Sequence, residues 1–564
     1  MADVSFWDGM MFIPQMRIAK RIEEVLSVLE FAESEARSGS HVAVMLSYEA
    51  APAFDSALIT HEPTDFPLAW AAVFENESDA VLHESSLVTS NSWTPGVSRG
   101  EYEAAVARIR DLIAAGDTYQ VNYSFPLTSS FSGDPYAWYR HLYLAQGAPY
   151  SVYLDLGRFK VLSLSPELFF ERRGNHVVTR PMKGTIARGR WLQEDREFAQ
   201  RLQQSVKDRA ENVMIVDLLR NDLGKVSVPG SVRVSSLFDV ERFETVWQMT
   251  STVESTLRDG TSLVDLMTAL FPCGSVTGAP KIRTMQIIRE LERSPRGAYT
   301  GAIGFLRPGG DCIFNVAIRT VVIDTETKVA TFGVGGGIVI DSTAEREYEE
   351  CLVKSRFLHA APADFQLFES ILLEDGEYFL LERHVQRLRN SAEYFGFRFC
   401  EEEIRAALER IAAENVFGSF KVRLTLWKDG RIETDVSSIQ PVGTRRVTLA
   451  TEAVDSSDRF LFHKTTRRDF YDAQPDVIFW NERGEVTESN IANVVVPIDG
   501  ELYTPPIESG LLPGTFRNHL LAEGKIKERV ITIEELQRAK EFFLINSVRK
   551  WMNVFFVLFV LFCG

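Results

Sequence analysis

The chain of 564 residues is poor in cysteine and has no surplus of basic residues. Its five cysteines are scattered and include no Cys-x-x-Cys pair, which argues against both a disulfide framework and a zinc ribbon. The formal net charge of −17 opposes binding to nucleic-acid phosphates. We therefore expect a protein of a reducing compartment, with no nucleic-acid partner.

Long apolar segments and a signal peptide are also lacking. The N-terminus has neither a basic start nor an apolar stretch. The apolar run from Val554 to Cys563 is about half of the roughly 20 residues that a membrane-spanning helix needs. We predict a cytoplasmic protein without a membrane partner, and we interpret the run as a buried terminal strand.

The length exceeds what one hydrophobic core usually supports, so at least two domains are expected. A break in pattern occurs at residues 359–365, where a helical segment gives way to an alternating one. We predict an N-terminal part at 1–95, a catalytic core at 96–358, a linker at 359–365 and a second domain at 366–564. Mixed strand and helix patterns indicate an α+β fold.

Three helices are predicted in the core. One begins at the Ser98–Glu101 capping box and ends near Gly116. A second carries Phe198, Leu202, Val206 and Val213 on one face and ends at 221–224. The third starts at a capping box at Ser342 and runs to about Leu358.

The two later helices carry pairs of acids three residues apart, Asp208 with Glu211 and Glu347 with Glu350. Each pair lies on one helical face. If the pairs met, a hard cation such as Mg²⁺ would be needed to neutralise them. Spacing alone favours the simpler interpretation that each pair lies on a solvated helix face.

Lys354 follows Glu350 by one turn and could meet a substrate anion or form a surface ion pair. Gly335, Gly336 and Gly337 come after a predicted strand and could offer backbone N–H groups to an anion or form a plain tight turn. The segment Gly274–Lys281 lacks the Gly-Lys-Ser/Thr of a Walker A loop, so ATP binding is not expected.

Taken together, six ordered segments of residues 100–358 resemble the signatures of chorismate-utilising enzymes. The discriminating positions are Lys183, where anthranilate synthases carry alanine and aminodeoxychorismate synthases carry their nucleophile, and Gln120, where isochorismate synthases carry a lysine that activates water. Gln248 stands where many relatives have histidine. The segments are Tyr119–Asn122, Ser165–Glu167, Pro181–Thr185, Glu211–Gly224, Gly274–Lys281 and Gly335–Glu350.

This resemblance implies a reaction and a set of roles. Lys183 would attack chorismate, ammonia would then replace it, and Glu167 would be the general acid. Mg²⁺ would be held by Glu211 and Glu350, with Asp208 and Glu347 near. The resemblance also implies a separate glutamine amidotransferase subunit as the ammonia source. The residues expected to contact substrate are Thr185, Ser275, Tyr299, Arg319, Gly335, Gly336, Gly337 and Lys354.

After residue 365, four further segments resemble fold-type IV pyridoxal-phosphate enzymes, most closely 4-amino-4-deoxychorismate lyase. They contain Lys464-Thr-Thr-Arg467, Glu488–Asn493, Leu512–Arg517 and Asn546–Arg549. The resemblance implies that Lys464 binds pyridoxal phosphate covalently and moves the proton, that Glu488 faces the pyridine nitrogen, and that Ser370 replaces a catalytic threonine. It also implies a possible homodimer through this domain. The phosphate would contact Arg387, Gly514, Thr515 and Ser547.

Other interpretations remain open at this point. The first domain could be an anthranilate or isochorismate synthase. The second could be a branched-chain or D-amino-acid aminotransferase, or a degenerate module that only supports the first.

Overall fold

The computed structural model describes residues 10–77, 89–90, 92–359, 365–439, 445–474, 476–539 and 541–556. The chain forms two compact units. The first contains Met1–Ala187 and Ala199–Pro362, and the second contains Arg188–Phe198 and Ala363–Gly564. Most of the predicted linker, and most of the terminal apolar run, lie outside the described residues, and the predicted domain limits stay a prediction.

The first unit is built on two antiparallel sheets. One has the strand order β1-β3-β2-β15-β16-β9-β10-β13-β11, with β12 also paired to β13, and the other has the order β14-β6-β18-β17-β8-β7, with β4 and β5 paired to β6. The strands are β1 (Met10–Ala19), β2 (His41–Leu46), β3 (Ala69–Glu77), β4 (Thr89–Ser90), β5 (Thr94–Pro95), β6 (Gln120–Ser132), β7 (Tyr150–Leu156), β8 (Phe159–Ser165), β9 (Leu168–Arg173), β10 (His176–Arg180), β11 (Met182–Ala187), β12 (Arg233–Arg242), β13 (Val246–Thr256), β14 (Gly278–Ala279), β15 (Ala302–Leu306), β16 (Cys312–Val316), β17 (Thr320–Asp324) and β18 (Val329–Ile338).

Eight α-helices are described between residues 25 and 355. Ser98 caps α2 through a capping box with Glu101, as predicted. The helices are α1 (Val25–Arg37), α2 (Arg99–Ala114), α3 (Pro135–Gln146), α4 (Leu192–Gln204), α5 (Val206–Gly224), α6 (Leu263–Leu270), α7 (Lys281–Leu291) and α8 (Ala344–Ser355).

Two helix predictions were wrong in detail. The single helix expected through Phe198 and Val213 is broken at Ser205, whose side chain accepts a hydrogen bond from the backbone N–H of Asp208 and so starts a new helix. The third helix is capped at Thr343 rather than Ser342. The Ser342 hydroxyl instead donates to Glu347, which leaves it outside the cap.

The second unit combines a small antiparallel sheet, in the order β20-β19-β21-β22, with a larger mixed sheet, in the order β25-β24-β23-β30-β29-β26-β27-β28. This confirms the expected mixture of strands and helices. Its strands are β19 (Leu367–Glu374), β20 (Glu377–Tyr378), β21 (Ser419–Leu426), β22 (Ile432–Ser438), β23 (Arg445–Leu449), β24 (Val477–Trp480), β25 (Val486–Ser489), β26 (Asn493–Ile498), β27 (Glu501–Thr504), β28 (Lys527–Glu528), β29 (Phe542–Asn546) and β30 (Lys550–Phe556). Its helices are α9 (Leu381–Phe395), α10 (Glu401–Glu414), α11 (Asp469–Asp472), α12 (Thr515–Ala522) and α13 (Ile533–Arg538). No helix in the described ranges has the length and apolar character needed to span a bilayer.

The segment Arg188–Phe198 is built into the second unit although its neighbours in sequence belong to the first. Leu192 is buried in the same apolar core as Leu367 and Leu424. The hydroxyl of Tyr394 donates to the carbonyl of Gly189 at 2.6 Å. The second unit is therefore discontinuous in sequence.

We expect Leu192→Ala to destabilise the second unit by about 2–4 kcal/mol, because truncation of a buried leucine loses apolar contacts and leaves a cavity. Urea unfolding followed by circular dichroism measures the change. Leu144→Ala is the control, since Leu144 is 62% exposed. Equal unfolding midpoints for the two variants would contradict the placement of Leu192.

Candidate active sites

The amine of Lys183 lies in a pocket of the first unit. Its Nζ is 3.7 Å from Glu211 Oε2, and only 14% of its side chain is exposed. A Cβ atom built on Gly337 would lie 2.5 Å from this Nζ and 3.0 Å from the amide of Gln120. β11, α5, β6 and β18 therefore meet around one amine, and a side chain at residue 337 would displace the amine from this position.

Glu167 is buried close to this amine. Ser275 Oγ donates to Glu167 Oε1 at 2.7 Å. Burial raises the pKa of Glu167 to about 7, while the hydrogen bond from Ser275 and the charge of Lys183 act in the opposite direction. A carboxyl group with this pKa can release a proton near neutral pH.

The three glycines of residues 335–337 lie inside β18, where the sequence analysis placed them after a strand. They pair in register with Ser124, Tyr123 and Asn122 of β6, so the ladder continues through them. Their lack of side chains makes room for neighbours: a Cβ on Gly336 would lie 3.3 Å from Glu347 Oε2 and 3.9 Å from Lys354 Nζ. Anion binding by their N–H groups stays a prediction.

The four predicted metal ligands do not form a ligand cluster. Across the described residues, no three histidine, cysteine, aspartate or glutamate side chains are close enough to hold a metal ion. Glu350 pairs with Lys354 at 2.8 Å, and Glu347 accepts from Ser342 at 2.8 Å. Asp208 lies against Gly184.

Two of these acids retain the chemistry that suits Mg²⁺. Burial acts against ionisation of Glu350, but Lys354, Lys183 and Lys207 together hold its pKa below the ordinary value. Lys183 and Lys207 also contact Glu211. Mg²⁺ is usually bound by one or two carboxylates, with water and substrate completing its shell, so Glu211 and Glu350 fit it, and the metal assignment stays a prediction.

The remaining predicted substrate residues have different surroundings. Among the described residues Arg319 forms no ion pair, and burial lowers its pKa to about 10, so an anionic ligand would offset its buried charge. Tyr299 packs its ring on Gly333 of β18. Thr185 is exposed, and its hydroxyl donates to Gln248 at 2.9 Å.

The second unit contains a cavity of about 340 Å³ that brings together every residue predicted there. They come from separate strands, loops and a helix start, up to 177 positions apart between Ser370 and Ser547. This volume is in the range of small-molecule sites. The residues are Ser370, Arg387, Lys464, Glu488, Gly514, Thr515 and Ser547.

Burial moves the pKa values of Lys464 and Glu488 in opposite directions. It lowers the pKa of Lys464 to about 7, helped by the charges of Arg387 and Arg468. It raises the pKa of Glu488 to about 7, against hydrogen bonds from Leu512 and Tyr471. Lys464 is therefore neutral in a large fraction of molecules at neutral pH, as a nucleophilic amine must be.

Arg387 has a protein partner that the sequence analysis missed. Its Nε and Nη2 donate to the two oxygens of Glu369 at 2.9 and 2.6 Å. Glu369 also contacts His384 Nδ1 at 2.7 Å, and His384 Nε2 lies 3.2 Å from the Thr515 hydroxyl. Glu369 thus orients the predicted phosphate contacts Arg387 and Thr515.

The sequence analysis assigned Gln120 no direct part in the reaction. It is fully buried, and neither atom of its amide has a hydrogen-bond partner within the described residues. The signal that the sequence offered for Gln120 was a polar side chain at the start of a strand. Glu369 offered no signal, because an acid next to Ser370 looks like one side of an ordinary alternating strand.

Comparison with known proteins assigns both units. Residues 9–360 match the chorismate binding enzyme family. The chain belongs to the family of chorismate binding enzymes. In this family member, residues 366–555 also match the class IV aminotransferases, so the predicted fold-type IV domain is confirmed.

Relatives of this chorismate binding enzyme divide between two activities. It is 45% identical to aminodeoxychorismate synthase component 1 of Salmonella typhimurium, over 48% of this chain and 59% of that protein. It is 43% identical to anthranilate synthase component 1 of Thermus thermophilus, over 46% and 56%. The crystal structure of anthranilate synthase component I from Streptococcus pneumoniae covers 59% of this chain and 85% of its own, with 28% identity and a TM-score of 0.53.

These similarities have two limits. The chain spans less than two thirds of the length of these curated relatives. The two identities are almost equal, so overall likeness does not distinguish the two activities. The choice between them rests on individual residues of the pocket.

We expect Lys464→Ala to abolish covalent attachment of pyridoxal phosphate, measured by borohydride reduction and peptide mass spectrometry. In the unsubstituted chain, the attachment rate should rise as pH increases from 6 to 8, with a midpoint near 7, because the lowered pKa leaves the amine neutral above about 7. Lys525→Ala is the matched control, since Lys525 is 62% exposed. Attachment at another lysine would contradict the assignment.

Proposed function

We propose that the chain makes 4-aminobenzoate in two steps. The first unit converts chorismate and ammonia to 4-amino-4-deoxychorismate through a covalent bond to Lys183. The second unit then removes pyruvate with pyridoxal phosphate and releases the aromatic product.

The observation that supports the first step is the surroundings of Lys183. A primary amine lies beside a buried carboxyl group that can donate a proton, Glu167, and beside an amide, Gln120, that cannot act as a base. Water addition would need a base at Gln120, and direct amination by ammonia would need no amine at residue 183. The pocket therefore favours attack by Lys183.

The amination by the first unit would take place in two steps. The neutral amine of Lys183 bonds to the ring of chorismate, and the 4-hydroxyl leaves as water with a proton from Glu167. Ammonia then bonds to the ring, the bond to Lys183 breaks, the lysine recovers its electron pair, and the new ring ammonium returns a proton to Glu167. Ser275 keeps Glu167 oriented in both steps through its hydrogen bond.

The charge on the substrate would have partners of its own. Glu211 and Glu350 would hold Mg²⁺, which would supply positive charge for a substrate carboxylate. Arg319 and Lys354 would hold the remaining carboxylate charge, and Lys354 is already oriented by the carbonyl of Gly335 at 2.9 Å.

In the second unit, pyridoxal phosphate would supply an electron-withdrawing ring that stabilises negative charge on carbon. Lys464 would take the proton from the substrate carbon that bears the amine. Glu488 would keep a proton on the pyridine nitrogen, and Ser370 would hydrogen-bond to the substrate. Arg387, Ser547 and the start of α12 at Gly514 and Thr515 would bind the phosphate.

The proposal includes a separate glutamine amidotransferase that supplies ammonia, a cytoplasmic location and a possible homodimer formed through the second unit. The amidotransferase is proposed because relatives of this chain are named component 1, which implies a second component. Because anthranilate synthases are nearly as similar, amination at the 2-position is the alternative that the products must exclude.

We expect Lys183→Ala to reduce amination of chorismate at least about 100-fold, because the nucleophile is lost. The chain is incubated with chorismate, ammonium, Mg²⁺ and pyridoxal phosphate, and products are identified by mass spectrometry. 4-Aminobenzoate from the unsubstituted chain supports both units, and accumulated 4-amino-4-deoxychorismate supports only the first.

Lys207→Ala is the matched control for this experiment. Lys207 pairs with the same Glu211, at 3.8 Å, but is 55% exposed, so its loss should change the rate less than about threefold. Anthranilate as the product, or full activity of Lys183→Ala, would contradict the proposal.

At a constant concentration of unprotonated ammonia, the plot of log rate of amination against pH should bend downward near pH 7. Glu167 must be protonated to act as an acid, and its raised pKa keeps it protonated only below that value. Glu167→Gln should lower the rate about 10²–10⁴-fold and remove this pH dependence. The same bend near pH 7 in the Glu167→Gln chain would exclude Glu167 as the acid.

A further inference from the structure

The strand that carries Lys183 contains a β-bulge at that residue. Met182 of β11 pairs with Thr250 of β13, and Thr185 pairs with Gln248, so three steps along β11 face two along β13. Gly184 has φ +98°, in the left-handed region. The extra residue turns the Lys183 side chain out of the regular alternation, as bulges beside active sites do.

Two side-chain amides hold the carbonyl groups of this bulge. Gln248 Nε2 donates to the Gly184 carbonyl at 3.0 Å, and Asn212 Nδ2 lies 3.5 Å from the Lys183 carbonyl. The Oε1 of Gln248 also accepts from the Thr185 hydroxyl at 2.9 Å. One carboxamide therefore bridges the residues on either side of the Gly184–Thr185 peptide bond.

We propose that Gln248 is a positioning residue for Lys183. It touches the bulge rather than the amine, and it fixes the direction in which β11 presents that amine toward Glu211 and Gly337. The inference rests on the proposed function, because it takes Lys183 as the nucleophile.

The chemistry of the amide suits this role. Gly184 has more conformational freedom than other residues, so the bulge has little stiffness of its own. A carboxamide supplies one donor and one acceptor at every pH, whereas a carboxylate would lose the donor and add negative charge near Asp208. A shift of about 1 Å in a reacting group can cost about 100-fold in rate, which is the scale of effect to expect.

The experiment compares Gln248→Ala and the similarly sized Gln248→Met in the full chain. Both should lower kcat for amination about 10–100-fold and leave KM for chorismate within about threefold, since the substrate contacts remain. Hydrogen exchange of the amides at 182–187, followed by mass spectrometry, should become faster in both. Gln248→Met keeps the fold testable if Gln248→Ala unfolds.

Asn175→Ala is the matched control. The Asn175 amide donates to Asp259 at 2.9 Å, next to β10 of the same sheet. The substitution therefore removes one amide hydrogen bond without touching the bulge. The proposal would be overturned if the Gln248 variants had the same exchange rates and kcat as Asn175→Ala. It would also be overturned if the chain aminates chorismate and the Gln248 variants exchange faster with unchanged kcat. If the chain does not aminate chorismate at all, faster exchange in the Gln248 variants still supports the positioning of the bulge by Gln248. Unchanged exchange overturns it.

Discussion

The ion pair between Lys183 and Glu211 is the interaction on which the first site depends. It joins a bulged strand to a helix, at 3.7 Å, with both side chains largely shielded from water. Neither charge can be left unpaired there without a large desolvation penalty. The pair therefore links the position of β11 to that of α5.

The same constraint operates in the second unit with other residues. The cavity contains Lys464, Arg387 and Arg468, and the buried carboxylates Glu369 and Glu488 balance them. Burial acts against ionisation of Glu369, but Arg387 and His384 lower its pKa to about 2, so it stays charged and orients its partners. Lys464 and Glu488 instead have pKa values of about 7, because burial acts against the charge of each group.

Local signals accounted for the elements whose ends depend on neighbouring residues. The start of α2 at the Ser98 capping box follows the sequence. The break at Ser205 is also a local signal, because its side chain caps α5, although the apolar spacing through Phe198 and Val213 had favoured one helix. The continuation of β18 through Gly335–Gly337 did not follow the sequence, because β6 supplies the ladder that glycine alone would not favour.

The sequence by itself determined which residues could do chemistry, because ordered motifs of the right residue types survive any uncertainty about helix ends. It also determined that acids come in pairs on helices and that a lysine occupies residue 183. Only the tertiary structure decided which of these groups meet. It paired Arg387 with Glu369, placed a bulge under Lys183 and built Arg188–Phe198 into the second unit. Sequence spacing says nothing of these distances, since burial and charge compensation act through space.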